Sequence, residues 1–559
     1  MNTKKWFVKK TNKEFLDYIA HKASISKLLA QILVSRGIKT PDDIKVFLSP
    51  KREQLHDPFM LPDMEKAVER IKKAARDRET VLIFGDYDAD GITSTSILLE
   101  VLTSLGINVI FYIPDRIAEG YGFNCDGVTY AREKGASVII TVDCGIKSCE
   151  EVRKARHAGL DVIITDHHIP DTCIPEALAV INPKRSDSRY PYKDLAGVGV
   201  VFKLIQALAP EKTESVLDLA ALGTVGDYVP LHGENRIIAF HGLKRLNTVQ
   251  RPGIKALKKT AGIEGQSLNS TFLSFTIIPR LNAVGRLYHA GDAVELLTTH
   301  NRERAETIAF RLEAANKKRR LIEKEIFESA LKKIDDFKTD NAFVLSSEGW
   351  HPGVIGIVAS RIVEEFYRPT FLFSLENGLA RGSARSIPGF HLYNGIDQCK
   401  DILLAYGGHS QAAGLRLSVK NVNFFRERIN SIVDSMVSDE DFIPQIKIDA
   451  GVALNDIDFN VVKEIGKLEP FGSGNDEPVI GVKGLKVVEP RIVGQSHLKM
   501  RLRQNNITFG SIGFHMGKLF DSVASSPFVD AVFSLTIDEF RGYPEVQLNL
   551  KEIRPGKIS

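Results

Sequence analysis

Three carboxylates alternate along the segment GDYDADG at 85–91: Asp86, Asp88 and Asp90, closed by Gly91. The pattern D-x-D-x-D-G opens a calcium loop. A loop starting at Asp86, however, needs a bidentate Glu at its twelfth position, which is Ile97, and a helix where the apolar run VLIF stands. With the calcium loop excluded, the carboxylates sit at the end of a short apolar run, and two later runs end alike. SVIITV enters Asp143, Cys144 and Gly145; DVIIT enters Asp166, His167 and His168. If these runs are neighbouring parallel strands, Asp88, Asp90, Asp143 and His167 share the crevice at the sheet's carboxyl edge, where open α/β sheets bind ligands. Carboxylates so close stay ionised only beside cations. Oxygen donors with one or two imidazoles favour manganese or magnesium over zinc. Two such ions about 3.5–4 Å apart clamp phosphorus for in-line attack by water. Each motif alone has a plainer reading. An Asp after a strand usually caps a helix, the default for Asp166 and part of the default for Asp143, and adjacent histidines usually lie on a surface or in a core. Three motifs at consecutive strand ends point to a metal site.

A second group could hold an anion. Arg381, Ser383 and Arg385 in RGSARS alternate, so an extended segment presents two guanidiniums and a hydroxyl on one face, and guanidinium forks suit phosphate oxygens. In GGHSQAAG, Gly407 and Gly408 permit close backbone approach and His409 follows at once. Near the end, His497, Lys499, Arg501 and Arg503 alternate with Leu498, Met500 and Leu502. Such a strand carries a basic face over an apolar one, suited to tracking a nucleic-acid backbone. An ordinary amphipathic strand reads the same way.

The elements that must position these groups are legible in outline. Residues from about 14 to 60 read as short helices. From Val81, apolar runs of four to six residues (81–84, 109–113, 137–142, 161–165, 178–181) alternate with helical stretches, which indicates a parallel sheet buried on both faces. From Arg302 to about Asp336 the chain lacks Pro and Gly and carries a narrow stripe, Ile308, Leu312, Ala315, Ile322, Ile326 and Ala330, predicting a bridging helix of roughly 50 Å. A second α/β block follows, with strands at 343–347 and 370–374, and then a tail whose strict alternation suggests a small antiparallel barrel. The 559 residues carry 74 basic and 70 acidic side chains, so a histone-like polycation is excluded while a local basic groove is not. Five cysteines without a CxxC pair indicate neither a disulfide scaffold nor a zinc ribbon, and their roles read as structural. The opening MNTKKWFVKK has no apolar h-region and no run of 18 apolar residues occurs, so a cytoplasmic setting without a membrane partner is expected.

GDYDADG, D-C-G at 143–145 and D-H-H at 166–168 resemble motifs of the DHH phosphoesterase superfamily, and the chain as a whole resembles its RecJ family. Further matches are PDRIAEGYGFN, LAGVGVVFKL, ALGTVGDYVPLHGENR and IPRLNAVGRL; HPGVIGIVASR, RGSARS and GGHSQAAG resemble the DHHA1 domain. The resemblance implies an α/β multidomain fold. Its expected parts are a helical extension (1–60), a parallel-sheet DHH domain (61–300), a long connecting helix (301–337), an α/β DHHA1 domain (338–440) and a C-terminal OB-like antiparallel barrel (441–559). It implies Asp88, Asp90, Asp143, His167 and Asp227 as ligands of two Mn(2+) or Mg(2+) ions, with Asp143 bridging and His168 at the scissile phosphate or leaving group. It further implies nucleic-acid contacts by Arg116, Tyr121, Arg280, Arg286, Arg381, Ser383, Arg385, Gly408, His409, Lys499 and Arg501. Arg280 and Asn282 belong to the same matched motif, and either could be purely structural. One departure stands out: many superfamily members have a histidine ligand where this chain has Phe84, and Asp86 is not expected to replace it. The implied activity is hydrolysis of single-stranded DNA from its 5′ end to mononucleotides, in repair and recombination, with a RecQ-type helicase and a single-strand-binding protein as candidate partners. The alternatives are a DHH phosphodiesterase of short oligonucleotides or cyclic dinucleotides, and a non-catalytic replication scaffold.

Overall fold

The computed structural model describes residues 4–249, 251–538 and 542–556. A short strand β1 (Lys5–Val8) precedes helices Lys13–Ala23, Lys27–Ser35 and Pro41–Leu48. Asn12, Ser26 and Thr40 cap these helices, each accepting a backbone N–H of the first turn. The central sheet holds β2 (Thr80–Phe84), β3 (Asn108–Tyr112), β4 (Ala136–Val142), β5 (Asp161–Thr165) and β6 (Ala179–Ile181). All pairings are parallel and the order is β3-β2-β4-β5-β6. Chain direction across the sheet reverses between β2 and β4, so the segments leaving their carboxyl ends part there and open a crevice.

The second sheet contains β7 (Phe343–Glu348), β8 (Thr370–Glu376), β9 (Leu379–Arg385), β10 (Leu403–Gly408) and β11 (Ala412–Ser418), in the order β10-β11-β9-β8-β7. Only β7 and β8 in it are parallel. The helix Arg302–Ile334 joins the two blocks and belongs to both cores. Ile308, Leu312 and Ala315 pack into the first; Ile326, Phe327, Ala330 and Ile334 pack with Trp350, Ile355 and Leu372 of the second.

Beyond β12 (Gln445–Ile448) and β13 (Ala450–Gly451), five strands close into a barrel: β14 (Ile480–Val493), β15 (His497–Gln504), β16 (Ile507–Gly513), β17 (Val529–Asp538) and β18 (Glu545–Pro555). Pairing of β14 with β17 closes it. The barrel is antiparallel except that β16 and β18 run parallel, because the chain crosses an end of the barrel through the helix Phe520–Ala524 before returning. The N-terminal helices do not stand apart. Ile19, Leu29, Ile32 and Leu33 share one core with Leu454, Ile480, Leu498 and Phe533, and β1 pairs in parallel with β12.

Candidate metal centre and nucleic-acid interface

Backbone geometry at the strand tips places the carboxylates. Asp88 caps the helix Ala89–Ser104, accepting the N–H of Asp90 at 2.9 Å and of Gly91 at 3.3 Å. Gly91 lies so close to the incoming chain that a Cβ there would sit 2.5 Å from the Asp86 carbonyl oxygen. Asn282 accepts the Ala89 N–H at 2.7 Å, so its motif braces this helix start. Asp90, 1% exposed, points the other way and accepts the N–H groups of Gly197 and Val198, both at 2.7 Å. The LAGVGVV motif thus supplies a helix N-terminus to a buried carboxylate. Asp143 follows β4 with φ of 59°, a left-handed conformation uncommon outside glycine.

These side chains converge. His167 Nε2 is 3.2 Å from Asp143 Oδ1, 3.5 Å from Asp227 Oδ2 and 4.0 Å from Asp90 Oδ2. Asp227 arrives from the end of the helix Thr213–Gly226. The donor atoms form overlapping sets, each within 4.8 Å: Asp90, His167 and Asp227; Asp86, Asp88 and Asp143; Asp143, His167 and His168. Burial pushes Asp86, Asp143 and Asp227 well above the usual carboxylate range. Burial, reinforced by Asp88, brings Asp90 up to about 7, and burial brings His167 down to about 3. Asp86 Oδ1, Asp143 Oδ1, Asp227 Oδ2 and His167 Nε2 are buried without a hydrogen bond. Acceptors left in that state demand a cation, and hard oxygens with one imidazole fit manganese or magnesium. Asp86, set aside in the sequence, is one of the orphaned acceptors.

Two motif residues play other parts. Asp166 caps no helix. Its Oδ1 accepts from His168 Nδ1 at 2.7 Å and from the His167 and His168 N–H groups, and its Oδ2 accepts from the Ile146 N–H. Although burial works against it, the hydrogen bond and charge of His168 hold Asp166 down at about 2. The ring of Tyr121 is exposed, while its hydroxyl donates to the Asp143 carbonyl at 3.1 Å and lies 3.2 Å from His168 Nδ1. Phe84 is turned away from the crevice, stacked on Tyr112 and edge-on to Phe123 in the core under the sheet's other face.

Cations face the crevice from both blocks, Arg116 and Arg286 from the first and Arg385 from the second. Burial, then Arg116 and Arg385, lower Arg286 to about 9; burial and Arg116 also lower Arg385. Arg116 lies over the Tyr87 ring, 4.7 Å from its centroid, and Arg286 donates to the Gly353 carbonyl at 3.0 Å. The helix Ile355–Phe366 starts here without a side-chain cap, and a Cβ on Gly356 would sit 2.8 Å from Ser383 Oγ. Three mutually repelling guanidiniums beside an uncapped helix N-terminus make a site for an anion. Arg381 donates to the Ile117 carbonyl at 3.3 Å, across a cleft of about 530 Å³ lined by Arg116, Tyr121, Gly353, Arg381 and Gly414. At Gly408, with φ of 150°, a Cβ would meet the Ala412 oxygen at 2.4 Å, so glycine there lets the hairpin present His409. His409 is lowered by burial and then by His168, Lys147 and Lys184. His409 therefore lies within electrostatic range of His168 and of two lysines that carry no sequence signal beyond their charge.

Of the two roles left open for Arg280, its contacts favour the structural one. Arg280 is 6% exposed and spends its guanidinium on Glu313 at 2.7 Å and the Thr276 carbonyl at 2.5 Å, fastening its helix to the long one. On β15, Leu498, Met500 and Leu502 are buried while Lys499 and Arg501 face outward.

Comparison with known proteins is consistent along the chain. Residues 80–224 match the DHH family N-terminal domain, 339–435 the DHHA1 domain and 448–552 the RecJ OB domain. The single-stranded-DNA-specific exonuclease RecJ of Bacillus subtilis is 40% identical over 98% of this chain and 70% of its own length. The protein of that name from Dickeya dadantii is 34% identical over 95% and 96%. The crystal structure of RecJ in complex with Mn2+ from Thermus thermophilus superposes with a TM-score of 0.85 at 28% identity, covering 99% of this chain and 80% of the other. A Mg2+ complex of the same protein gives a TM-score of 0.79 at 27% identity, covering 99% and 79%.

Proposed function

Because the chain belongs to the RecJ family of DHH phosphoesterases, we propose that it degrades single-stranded DNA from the 5′ end to mononucleotides by two-metal phosphodiester hydrolysis. The observation that carries this is the buried set of unpaired carboxylates around His167 facing a cation-lined cleft. Asp88, Asp90, Asp143, His167 and Asp227 are the assigned ligands, and Asp86 joins them. Asp143, the one carboxylate common to two of the three donor sets, would serve as the shared ligand if two ions bind. Manganese or magnesium held there supplies the charge that keeps these groups ionised, and Lewis acidity toward water and phosphate oxygen.

The chain's own groups do the rest. Asp166 binds His168 through Nδ1, and Nε2, 3.3 Å from the Tyr121 hydroxyl, is the nitrogen that donates a proton toward the leaving oxygen or steadies the scissile phosphate. Arg116, Arg286, Arg385 and Ser383, with the N-terminus of the helix Ile355–Phe366, hold a 5′-terminal phosphate. Arg381, Gly408 and His409 line the second wall of the path, and the Tyr121 ring offers a stacking face. Lys499 and Arg501 follow the strand farther out. A cleft bounded by both blocks and fixed by one continuous helix gives a steric preference for a single strand. The division into helical extension, DHH domain, connecting helix, DHHA1 domain and OB domain is retained as proposed, with the first and last acting as one body. Among the described residues no helix is long and apolar enough to cross a membrane. A cytoplasmic location, a role in repair and recombination, and work beside a RecQ-type helicase and a single-strand-binding protein belong to the same proposal.

Single- and double-stranded oligonucleotides labelled at either end, incubated with manganese or with chelator, test it. The expected result is chelator-sensitive release of 5′-label as mononucleotide from the single strand only. Survival of long strands with loss of two- to five-mers or cyclic dinucleotides would transfer the assignment to a short-substrate phosphodiesterase. Binding without cleavage would make the protein a scaffold.

A further inference from the structure

Of the five cysteines, Cys144 and Cys399 are buried, so the cysteine inside the metal motif is shielded from oxidants. Two others are placed differently. Cys149 opens the helix Cys149–His157, six residues after Asp143; Cys173 lies five residues after His168. Their sulfurs are 2.6 Å apart, closer than two unbonded sulfurs rest, and Cys173 is exposed. Among the described residues, Cys125 is the only other partly exposed thiol, and it is engaged by Lys154 Nζ at 3.3 Å.

We propose that Cys149 and Cys173 are a reversible disulfide site that fastens the loop after His168 to the helix after Asp143. The loop needs such a fastening. Among the described residues no backbone–backbone hydrogen bond holds residues 169–177. The ion pairs that tie this loop to the helix and to the turn before it, Arg156 with Glu176 at 2.6 Å and Lys147 with Asp171 at 3.2 Å, are all at least half exposed and contribute little. Forming the bond brings the sulfurs together by about 0.6 Å, too little to displace Asp143 or His167. Hydrogen peroxide is the oxidant: one thiol reduces it to water and becomes a sulfenic acid, and the second thiol, losing its proton, displaces hydroxide from that acid, releasing a second water and forming the S–S bond. A dithiol reductant reverses it by exchange. The closed loop cross-links the segments bearing the bridging carboxylate and the two histidines, so the oxidised protein keeps its site and unfolds less readily.

The full chain treated with hydrogen peroxide, alkylated and digested should yield one peptide joining Cys149 to Cys173, two hydrogens lighter than the separate peptides and released by dithiothreitol. The melting midpoint should rise by several degrees, with hydrolysis of single-stranded DNA unchanged. Cys149→Ser and Cys173→Ser should show neither the bond nor the rise. Free alkylation of both thiols after peroxide, a bond from either to Cys125, a midpoint that falls, or lost activity in the oxidised wild type would each overturn the proposal.

Discussion

Gly197→Ala tests whether the start of the helix Gly197–Leu208 sets the position of the bridging carboxylate. A Cβ at 197 would lie 2.8 Å from Asp143 Oδ1, 2.9 Å from its Cβ and 3.0 Å from its Cγ, where ordinary contacts need roughly 3.5 Å or more. Something must move by about 0.5–0.8 Å. The helix resists, since Asp90 grips its first two N–H groups at 2.7 Å. Asp143 resists less, though its N–H donates to the Thr165 carbonyl at 3.0 Å and its backbone is left-handed. Overpacking of this kind costs about 1–3 kcal/mol, partly offset by the 0.5–1 kcal/mol or so that alanine gains over glycine in a helix. The net loss of stability is therefore small, about 0–2.5 kcal/mol, while the displaced carboxylate lowers kcat by roughly 100-fold. The assay pairs kcat on a 5′-labelled oligonucleotide at saturating manganese with thermal melting and with DNA binding in chelator. Wild-type kcat in a variant whose melting is also unchanged would refute the close approach. A large fall in stability that accounts for the lost activity would refute the positioning argument.

Three further outcomes are expected. Arg286→Ala should keep the fold yet lose preference for a 5′-phosphorylated over a 5′-hydroxyl strand, whereas Arg280→Ala should destabilise by about 3–5 kcal/mol through its buried partner Glu313 and keep that preference; fluorescence binding and melting curves on both variants separate the two. Lys499→Ala with Arg501→Ala should weaken binding to long single strands and reduce the slope of log affinity against log salt by about 0.7 for each phosphate no longer neutralised; an unchanged slope would remove the barrel from the path. Asp63 is lowered from the usual carboxylate range: burial opposes the shift, but hydrogen bonds from Lys66 and Arg185 overcome it. Its stabilisation is therefore present above the unfolded carboxylate range and lost as pH falls through the folded value, so the melting gap between wild type and Asp63→Asn should be open at neutral pH and close under acid.

Truncation of the tail is a poor test of the barrel, for a reason only the fold reveals. Removing it would expose Ile19, Leu29, Ile32 and Leu33 of the N-terminal helices, which share its core, and aggregation would mask any effect on binding. Surface substitutions on β15 avoid this.

Much of the architecture was legible in the chain. Near-continuous apolar runs marked β2, β4, β5 and β6 because strands buried on both faces need no polar side, and the same kind of run marked β3, which is only half-buried at the sheet edge. The alternation of Leu498, Met500 and Leu502 with Lys499 and Arg501 marked β15 because a barrel strand has one buried face. Carboxylates at three strand ends announced a metal crevice because parallel strands bring their carboxyl ends to one edge. Local pattern carries no information on which face a buried polar side chain chooses. Asp86, Asp88 and Asp90 alternate identically in the sequence, yet one is an orphaned acceptor, one caps its own helix and one grips the helix at Gly197. Arg280 and Arg286 share a motif and a helix, but one is consumed by Glu313 while the other meets Arg116 and Arg385. Phe84 looked like a missing ligand and instead fills the core under the sheet. The joining of chain start to chain end, and the approach of Cys149 to Cys173, likewise depend on elements distant in sequence. Residue type and spacing determined the elements and the chemistry available, because burial periodicity is a local property of the chain. Tertiary packing decided which donors face one another, because that depends on side chains that meet only after the helices have docked on the sheets.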